Sequence, residues 1–287
     1  MMTYADHVYR SADGRLDLYA RIYDADGPPL LLMHGLTRNS ADFEALAGHL
    51  AAKYQVIVPD QRGRGRSDYD PDPDNYTPAT YVQDMFALIA DLQLGNLGLI
   101  GTSLGGLMAM MMAAISPARF DSLILNDIGP VVETDGLDRI QSYVGEMAPF
   151  DSWQQAADHC RTVHSDAMIG YEARDWMAFA RRTCAETPDG GIGFAYDPAI
   201  AKGLSGSTQS AVPPDLWETW DRLSAIPALI LRGALSDILA PATVAEMKRR
   251  HPDHFSTAEI ANRGHAPILD ESDALAAIDG FLANIGK

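Results

Sequence analysis

Cysteine is scarce in this chain: Cys160 and Cys184 are the only two in 287 residues. Two cysteines make no disulfide framework. Neither stands at metal-ligand spacing from a second Cys or His, because the adjacent His159 and Cys160 point apart on a helix. Unpaired thiols suit a reducing compartment. Positive charge is also in deficit, with 22 Lys and Arg against 39 Asp and Glu and a net charge of −17. Such a chain repels a polyanion, and no basic stripe offsets this, so a nucleic-acid partner is excluded. Long apolar runs are missing too. The longest, from Leu104 into Ile115, is too short to span a bilayer. The opening Met1-Met2-Thr3-Tyr4-Ala5-Asp6-His7 has neither the basic start nor the apolar stretch of a signal peptide. Repeats and low-complexity tracts are absent. The expectation is a soluble, cytoplasmic protein that uses no metal and no cofactor and binds no membrane. What the chain has in quantity is apolar side chains, 47% of the total, enough for one large α/β domain or two small ones.

One stretch organises the rest: Gly101-Thr102-Ser103-Leu104-Gly105-Gly106. The apolar Leu97-Gly98-Leu99-Ile100 precedes it, and Leu107 to Ala114, rich in helix formers, follows it. G-x-S-x-G between a strand and a helix is the pattern of a nucleophile elbow, a strained turn that lifts a serine hydroxyl clear of the chain. Gly101 and Gly105 keep the flanks of Ser103 small, and the helix N-terminus behind it favours developing negative charge.

The rest of the chain alternates strands with helices. Residues 7–11 and 15–23 form a hairpin around Asp13-Gly14. Leu30-Leu31-Leu32-Met33 is a short continuous apolar run, as suits a strand buried on both faces of a parallel sheet. A helix is predicted over 40–52, N-capped by Ser40, followed by a strand at 54–60, a helix over 78–93 and a strand at 122–127. From Gly129 to Ser224 no strand pattern is visible, only helix-like segments carrying Trp153, Trp176, Phe179, Trp217 and Trp220. Alternation resumes at 228–233, with a helix near 242–250, a strand near 254–260 and a final helix near 271–285. This predicts a core domain built from 1–128 and 225–287, with a helical cap over 129–224 above the carboxyl edge of a mainly parallel sheet. Ligands bind at that edge, and His34, Asp60, Ser103, Asp127, Asp237 and His265 all fall there.

A serine nucleophile needs a base and the base needs an orienting acid. Of eight histidines, His265 stands out, in the tight loop Asn262-Arg263-Gly264-His265-Ala266-Pro267 after the last strand. His49, His159, His164 and His251 lie in or at the ends of helical segments and read as surface or structural residues. For the acid, Asp237 in Gly233-Ala234-Leu235-Ser236-Asp237 is favoured, because the order Ser, Asp, His suits an elbow of this type. Asp127 is the competitor at the end of the strand after the elbow; its alternative reading is a tie at the hinge of the cap. Backbone N–H groups of Leu36 and Leu104 are the candidate oxyanion hole, with His34 and Gly35 ordering the loop.

Taken together, His34-Gly35, the loop Asp60-Gln61-Arg62-Gly63-Arg64-Gly65-Arg66-Ser67, the elbow, the Asp237 loop and Gly264-His265 occur in family order, and the chain resembles an α/β-hydrolase-fold serine hydrolase. The resemblance covers nearly all of the sequence. It implies an eight-stranded, mostly parallel sheet with the second strand antiparallel, helices on both faces, and a helical cap inserted after the sixth strand. It also implies that the arginines of the Asp60 loop face solvent or brace the cap. A serine rather than an aspartate at the elbow argues against the haloalkane dehalogenase and epoxide hydrolase branches. The expected activity is hydrolysis of a small ester or lactone with an apolar part, through an acyl-enzyme on Ser103. The alternatives are carbon–carbon hydrolysis of a diketone-like substrate, cofactor-free haloperoxidase or oxygenase chemistry, and small-ligand binding without reaction.

Overall fold

The computed structural model describes residues 3–145, 147–202 and 215–285. Residues 203–214 of the expected cap, and the Met1-Met2 start, lie outside the described residues. The sheet consists of β1 (Ala5–Arg10), β2 (Asp17–Tyr23), β3 (Pro29–Met33), β4 (Gln55–Asp60), β5 (Leu97–Thr102), β6 (Phe120–Asn126), β9 (Ala228–Gly233) and β10 (Phe255–Ile260). Its eight strands run in the order β1-β2-β4-β3-β5-β6-β9-β10. Only β2 runs against its neighbours: it pairs antiparallel with both β1 and β4, and every other pairing is parallel. This is the expected fold, with the second strand reversed.

The central strands read as unbroken apolar runs because both of their faces are covered. Side chains alternate across a strand, so Leu31 and Met33 join one core while Leu30 and Leu32 join the other. The first core packs the sheet against α2 (Pro78–Asp91), α3 (Leu104–Ile115) and α8 (Pro241–Arg250). The second packs it against α1 (Glu44–Leu50) and α9 (Ser272–Leu282). The start of α1 differs from expectation. Ser40–Phe43 is a 3-10 turn, and Asn39, not Ser40, supplies the cap by accepting from the Ala41 N–H. The Ser40 N–H instead bonds the buried Asp60 carboxylate, which ties this turn to the end of β4.

Between β6 and β9 the described residues form α4 (Thr134–Tyr143), α5 (Trp153–His164), α6 (Ala173–Thr183) and the short α7 (Trp217–Asp221). Contrary to the strand-free expectation, β7 (Cys184–Glu186) and β8 (Ile192–Phe194) pair as a small antiparallel hairpin. Strands of three residues are too short to show an alternation in sequence. A core of Ala156, Ala157, Cys160, Met168, Trp176, Phe179, Ala180, Cys184 and Ile192 holds this segment together. Both cysteines are buried and free.

The arginine-rich loop after β4 meets expectation only in part: the Arg66 side chain is exposed. Arg62 and Arg64 do not face solvent: they are 1% and 0% exposed. Arg62 is ion-paired with Asp84 at 2.7 Å and Asp70 at 2.6 Å, both buried. Arg64 donates from Nε to the Leu36 carbonyl at 2.8 Å. The loop does brace the inserted segment, through Gly65 N–H to Ala195 O and Asp197 N–H to Gly63 O. Among the described residues no helix is long and apolar enough to cross a membrane.

Candidate active site

The turn from β5 into α3 puts Ser103 at φ 53°, ψ −118°. This is a backbone conformation that a side-chain-bearing residue holds only under strain. The strain persists because the packing around it leaves no room to relax. A Cβ on Gly105 would lie 2.0 Å from the Met33 carbonyl oxygen, and one on Gly101 would lie 2.3 Å from the Gly105 carbonyl carbon. Helix α3 therefore sits directly against β3 and β5, and Ser103 projects from the tip.

Ser103 Oγ lies 2.8 Å from His265 Nε2, and His265 Nδ1 lies 2.8 Å from Asp127 Oδ2. The imidazole comes from the loop after β10 and the carboxylate from the residue after β6. Asp127 also has a positive φ, 57°, which turns its side chain across the sheet edge. There it accepts from the Gly233 N–H on Oδ1 at 2.9 Å and from the Ser236 hydroxyl on Oδ2 at 2.6 Å. The carboxylate is fully buried, and its oxygens are taken up by Gly233, Ser236 and His265. With Asp127 anionic, His265 carries its proton on Nδ1 and leaves Nε2 free to accept the serine proton.

This overturns the assignment of Asp237 as the acid. Asp237 forms no hydrogen bond or ion pair with His265. Its carboxylate is taken up by Arg139 of α4, with Nε at 2.5 Å and Nη2 at 2.9 Å, and this pairing holds its pKa below the usual carboxylate range. The loop after β9 contributes to the relay through its serine instead. The Ser236 Oγ accepts from the Ile238 and Leu239 N–H groups and passes its own hydrogen to Asp127. Nor is Asp127 a hinge tie, since its two oxygens are spent on the β9 end, Ser236 and His265.

The oxyanion candidates flank Ser103. Among the described residues, the N–H groups of Leu36 and Leu104 bond no intramolecular acceptor. The Leu36 loop is held from three sides. His34 Nδ1 is 2.7 Å from the Gly35 carbonyl oxygen, His34 Nε2 accepts from the Gln61 N–H at 3.0 Å, and Arg64 grips the Leu36 carbonyl. That pattern places the His34 proton on Nδ1 and leaves Nε2 as an acceptor. Burial pushes the His34 pKa down to about 3, so this ring stays neutral and serves as a fixed brace.

The serine opens into a cavity between the sheet edge and the inserted segment. Its walls include Leu36, Arg38 and Ser103 from the core and Ile140, Tyr143, His159, Val163, His164, Met168, Phe179 and Tyr196 from the insertion. Sequence reasoning missed His159 and His164 here. Their spacing with Cys160 and Val163 puts all four on one face of α5, and that face is turned inward. Arg38 was missed as well. It follows the His34-Gly35 pair, where loop sequence carries no periodic signal of side-chain direction.

A family model described as alpha/beta hydrolase fold matches residues 28–272. A 3-hydroxybutyrate-oligomer hydrolase of Cupriavidus necator is 34% identical over 258 residues, covering 88% of this chain and 87% of that protein. A 2-(acetamidomethylene)succinate hydrolase of Mesorhizobium japonicum is 30% identical over 251 residues, covering 87% and 86%. Among solved structures, an alpha/beta hydrolase from Novosphingobium aromaticivorans superposes with a TM-score of 0.93 at 40% identity, covering 99% of this chain and 100% of that one.

Proposed function

The chain belongs to the α/β-hydrolase fold family, and from that premise we propose that it hydrolyses a small carboxylic ester through an acyl-enzyme on Ser103. One observation carries this reading: the unbroken line Asp127–His265–Ser103, with both links at 2.8 Å, ending at a strained serine that faces a cavity. Ser103 Oγ attacks the ester carbonyl while His265 Nε2 takes its proton. Asp127 steadies the resulting imidazolium. The Leu36 and Leu104 N–H groups meet the oxyanion, a stabilisation of the kind that is usually the largest single term in acyl transfer. His265 then protonates the leaving alcohol and activates water to release the acid.

Residues 129–224 act as a cap over the core domain formed by 1–128 and 225–287. The support for this is that α4, α5 and α6 supply one wall of the cavity and the loops after β3, β5 and β10 the other. Substrate reaches Ser103 between these walls, so it is a small molecule with an apolar part rather than a polymer threaded through the fold, a nucleic acid or a membrane. Unpaired thiols in an acidic chain fit the reducing cytoplasm. The related Cupriavidus enzyme, by its name, cleaves hydroxybutyrate oligomers, which are esters, and this favours ester over lactone or diketone substrates.

The deciding experiment is reaction with a fluorophosphonate probe, followed by peptide mapping, alongside turnover of short-chain esters. Labelling at Ser103 with ester turnover is expected. A protein that binds the esters without cleaving them, and whose Ser103 stays unlabelled, would sink the reading. Turnover only with oxygen or peroxide would move it to the oxygenase class.

A further inference from the structure

Among the polar side chains of the cavity wall that the chemistry at Ser103 does not use are Arg38 and His164. Arg38 starts beside the nucleophile: a Cβ built on Gly35 would lie 3.5 Å from Arg38 Cγ and 3.7 Å from Ser103 Cβ. From there the Arg38 guanidinium reaches across to Phe179, with Cζ 4.3 Å from the ring centroid. His164, at the end of α5, packs on the same ring with its centroid 5.1 Å away. Both side chains thus rest on Phe179 and line the cavity that holds Ser103.

Neither is saturated. A guanidinium has five N–H donors, and Arg38 commits three: Nε and Nη2 to Asp42, and Nη1 to Thr183 Oγ1 at 2.6 Å. Two remain. Asp42 does not cancel the local charge either, because it is shared between Arg38 and Arg182, whose Nε lies 3.8 Å from the same carboxylate. Asp42 thus faces two guanidiniums, in a chain whose overall charge is −17. His164 lines the cavity and has no hydrogen-bond partner among the described residues. Burial and the nearby Arg38 and Arg139 push its pKa down to about 3, so it is a neutral imidazole with an N–H to donate. Polar groups set in an apolar wall cost free energy unless something bonds them.

We propose that Arg38 and His164 form a subsite for a carboxylate carried by the substrate a few bonds from the scissile ester. The inference rests on the ester-hydrolase reading and narrows its substrate class to acidic esters. The bound carboxylate accepts from the free Arg38 N–H groups and from the His164 ring, and Phe179 forms the floor beneath both. The group acts at a distance from the reacting atoms, so it contributes through substrate positioning.

The test compares kcat/KM for matched esters that differ in one carboxylate: ethyl hydrogen succinate against ethyl butyrate for the acyl side, and 3-acetoxybutanoate against sec-butyl acetate for the alcohol side. Charge-assisted hydrogen bonds of this kind predict a preference of about ten- to a hundredfold for the acid in at least one pair. Arg38→Met should bring that ratio near unity, Arg38→Lys should restore part of it, and His164→Leu should lower it several-fold, mainly through KM. His164→Leu lies at a helix end away from the oxyanion loop and keeps the test decisive if Arg38→Met folds poorly. No preference in either pair for the wild type overturns the subsite. So does an Arg38→Met variant that slows acidic and neutral esters alike, since that marks a structural role. These outcomes are separable from failure of the hydrolase reading, which would appear as no turnover of any ester and no fluorophosphonate labelling of Ser103.

Discussion

Two aspartates lie near the imidazole-bearing edge of the sheet, and replacing each by asparagine should give opposite results. In Asp127→Asn the amide oxygen can keep the Gly233 N–H, leaving the NH2 group where Oδ2 now accepts from both Ser236 and His265. The Ser236 Oγ already accepts from the Ile238 and Leu239 N–H groups and has no lone pair left for this NH2. His265 cannot satisfy this NH2 with its present tautomer: it must offer a lone pair at Nδ1 and move its proton to Nε2, facing Ser103 Oγ. A protonated Nε2 cannot take the serine proton, and the imidazolium formed during turnover loses its buried counter-charge. The expected loss in kcat is about 10²–10⁴-fold, or roughly 3–5.5 kcal/mol of barrier at about 1.4 kcal/mol per decade.

Asp237→Asn removes a different interaction. Its partner Arg139 and Asp237 itself are 31% and 36% exposed at the side chain, and ion pairs so open to solvent contribute about 0–1 kcal/mol. Because α4 also carries Ile140 and Tyr143 into the cavity, KM can drift, but kcat/KM should stay within about tenfold of wild type. Steady-state rates on one short ester, with thermal unfolding of each variant to show that both are folded, settle the matter. A dead Asp237→Asn beside an active Asp127→Asn would refute the relay drawn from the geometry, and near-equal rates would remove the carboxylate from the mechanism.

Ser103→Ala should lower ester turnover by about 10³–10⁶-fold and abolish fluorophosphonate labelling. Ser103→Gly should be as inactive but melt above the alanine variant, because glycine accepts the positive φ of this turn without strain; equal melting temperatures would say the turn stores none. Gly105→Ala should destabilise by at least about 1–3 kcal/mol in urea unfolding, since its methyl would overlap the Met33 carbonyl and force α3 off the sheet. Buried His34, held neutral with a pKa near 3, makes stability fall as pH drops. Between pH 6.5 and 3 the unfolded chain binds a proton there that the folded chain does not, so about 2 kcal/mol is lost from pH 6.5 to 5 on this residue's account. Urea midpoints across that range check the loss, and an NMR signal of His34 titrating near 6 would contradict it.

What could be read from sequence here is what local sterics decide. Leu30-Leu31-Leu32-Met33 announces a strand with both faces covered because each of its side chains is buried. Ser103 is legible because its backbone strain demands Gly101 and Gly105 beside it, and those glycines are neighbours in the chain. The β7–β8 hairpin was invisible because three residues cannot show a period, and the inward face of α5 was misread because histidines at helical spacing fit a wet face as well as a cavity wall. The acid is the instructive case. Asp127 and Asp237 both follow strands that end at the same edge, and the loop sequence around each is compatible with the role. The choice is made by groups far apart in sequence: the Gly233 N–H and the Ser236 hydroxyl converge on the carboxylate that φ 57° turns toward them, while Arg139, carried on an inserted helix, draws the other away. A nucleophile is specified by what must be small next to it, and an acid by what must donate to it across the sheet. Only the first of these requirements is written in adjacent residues.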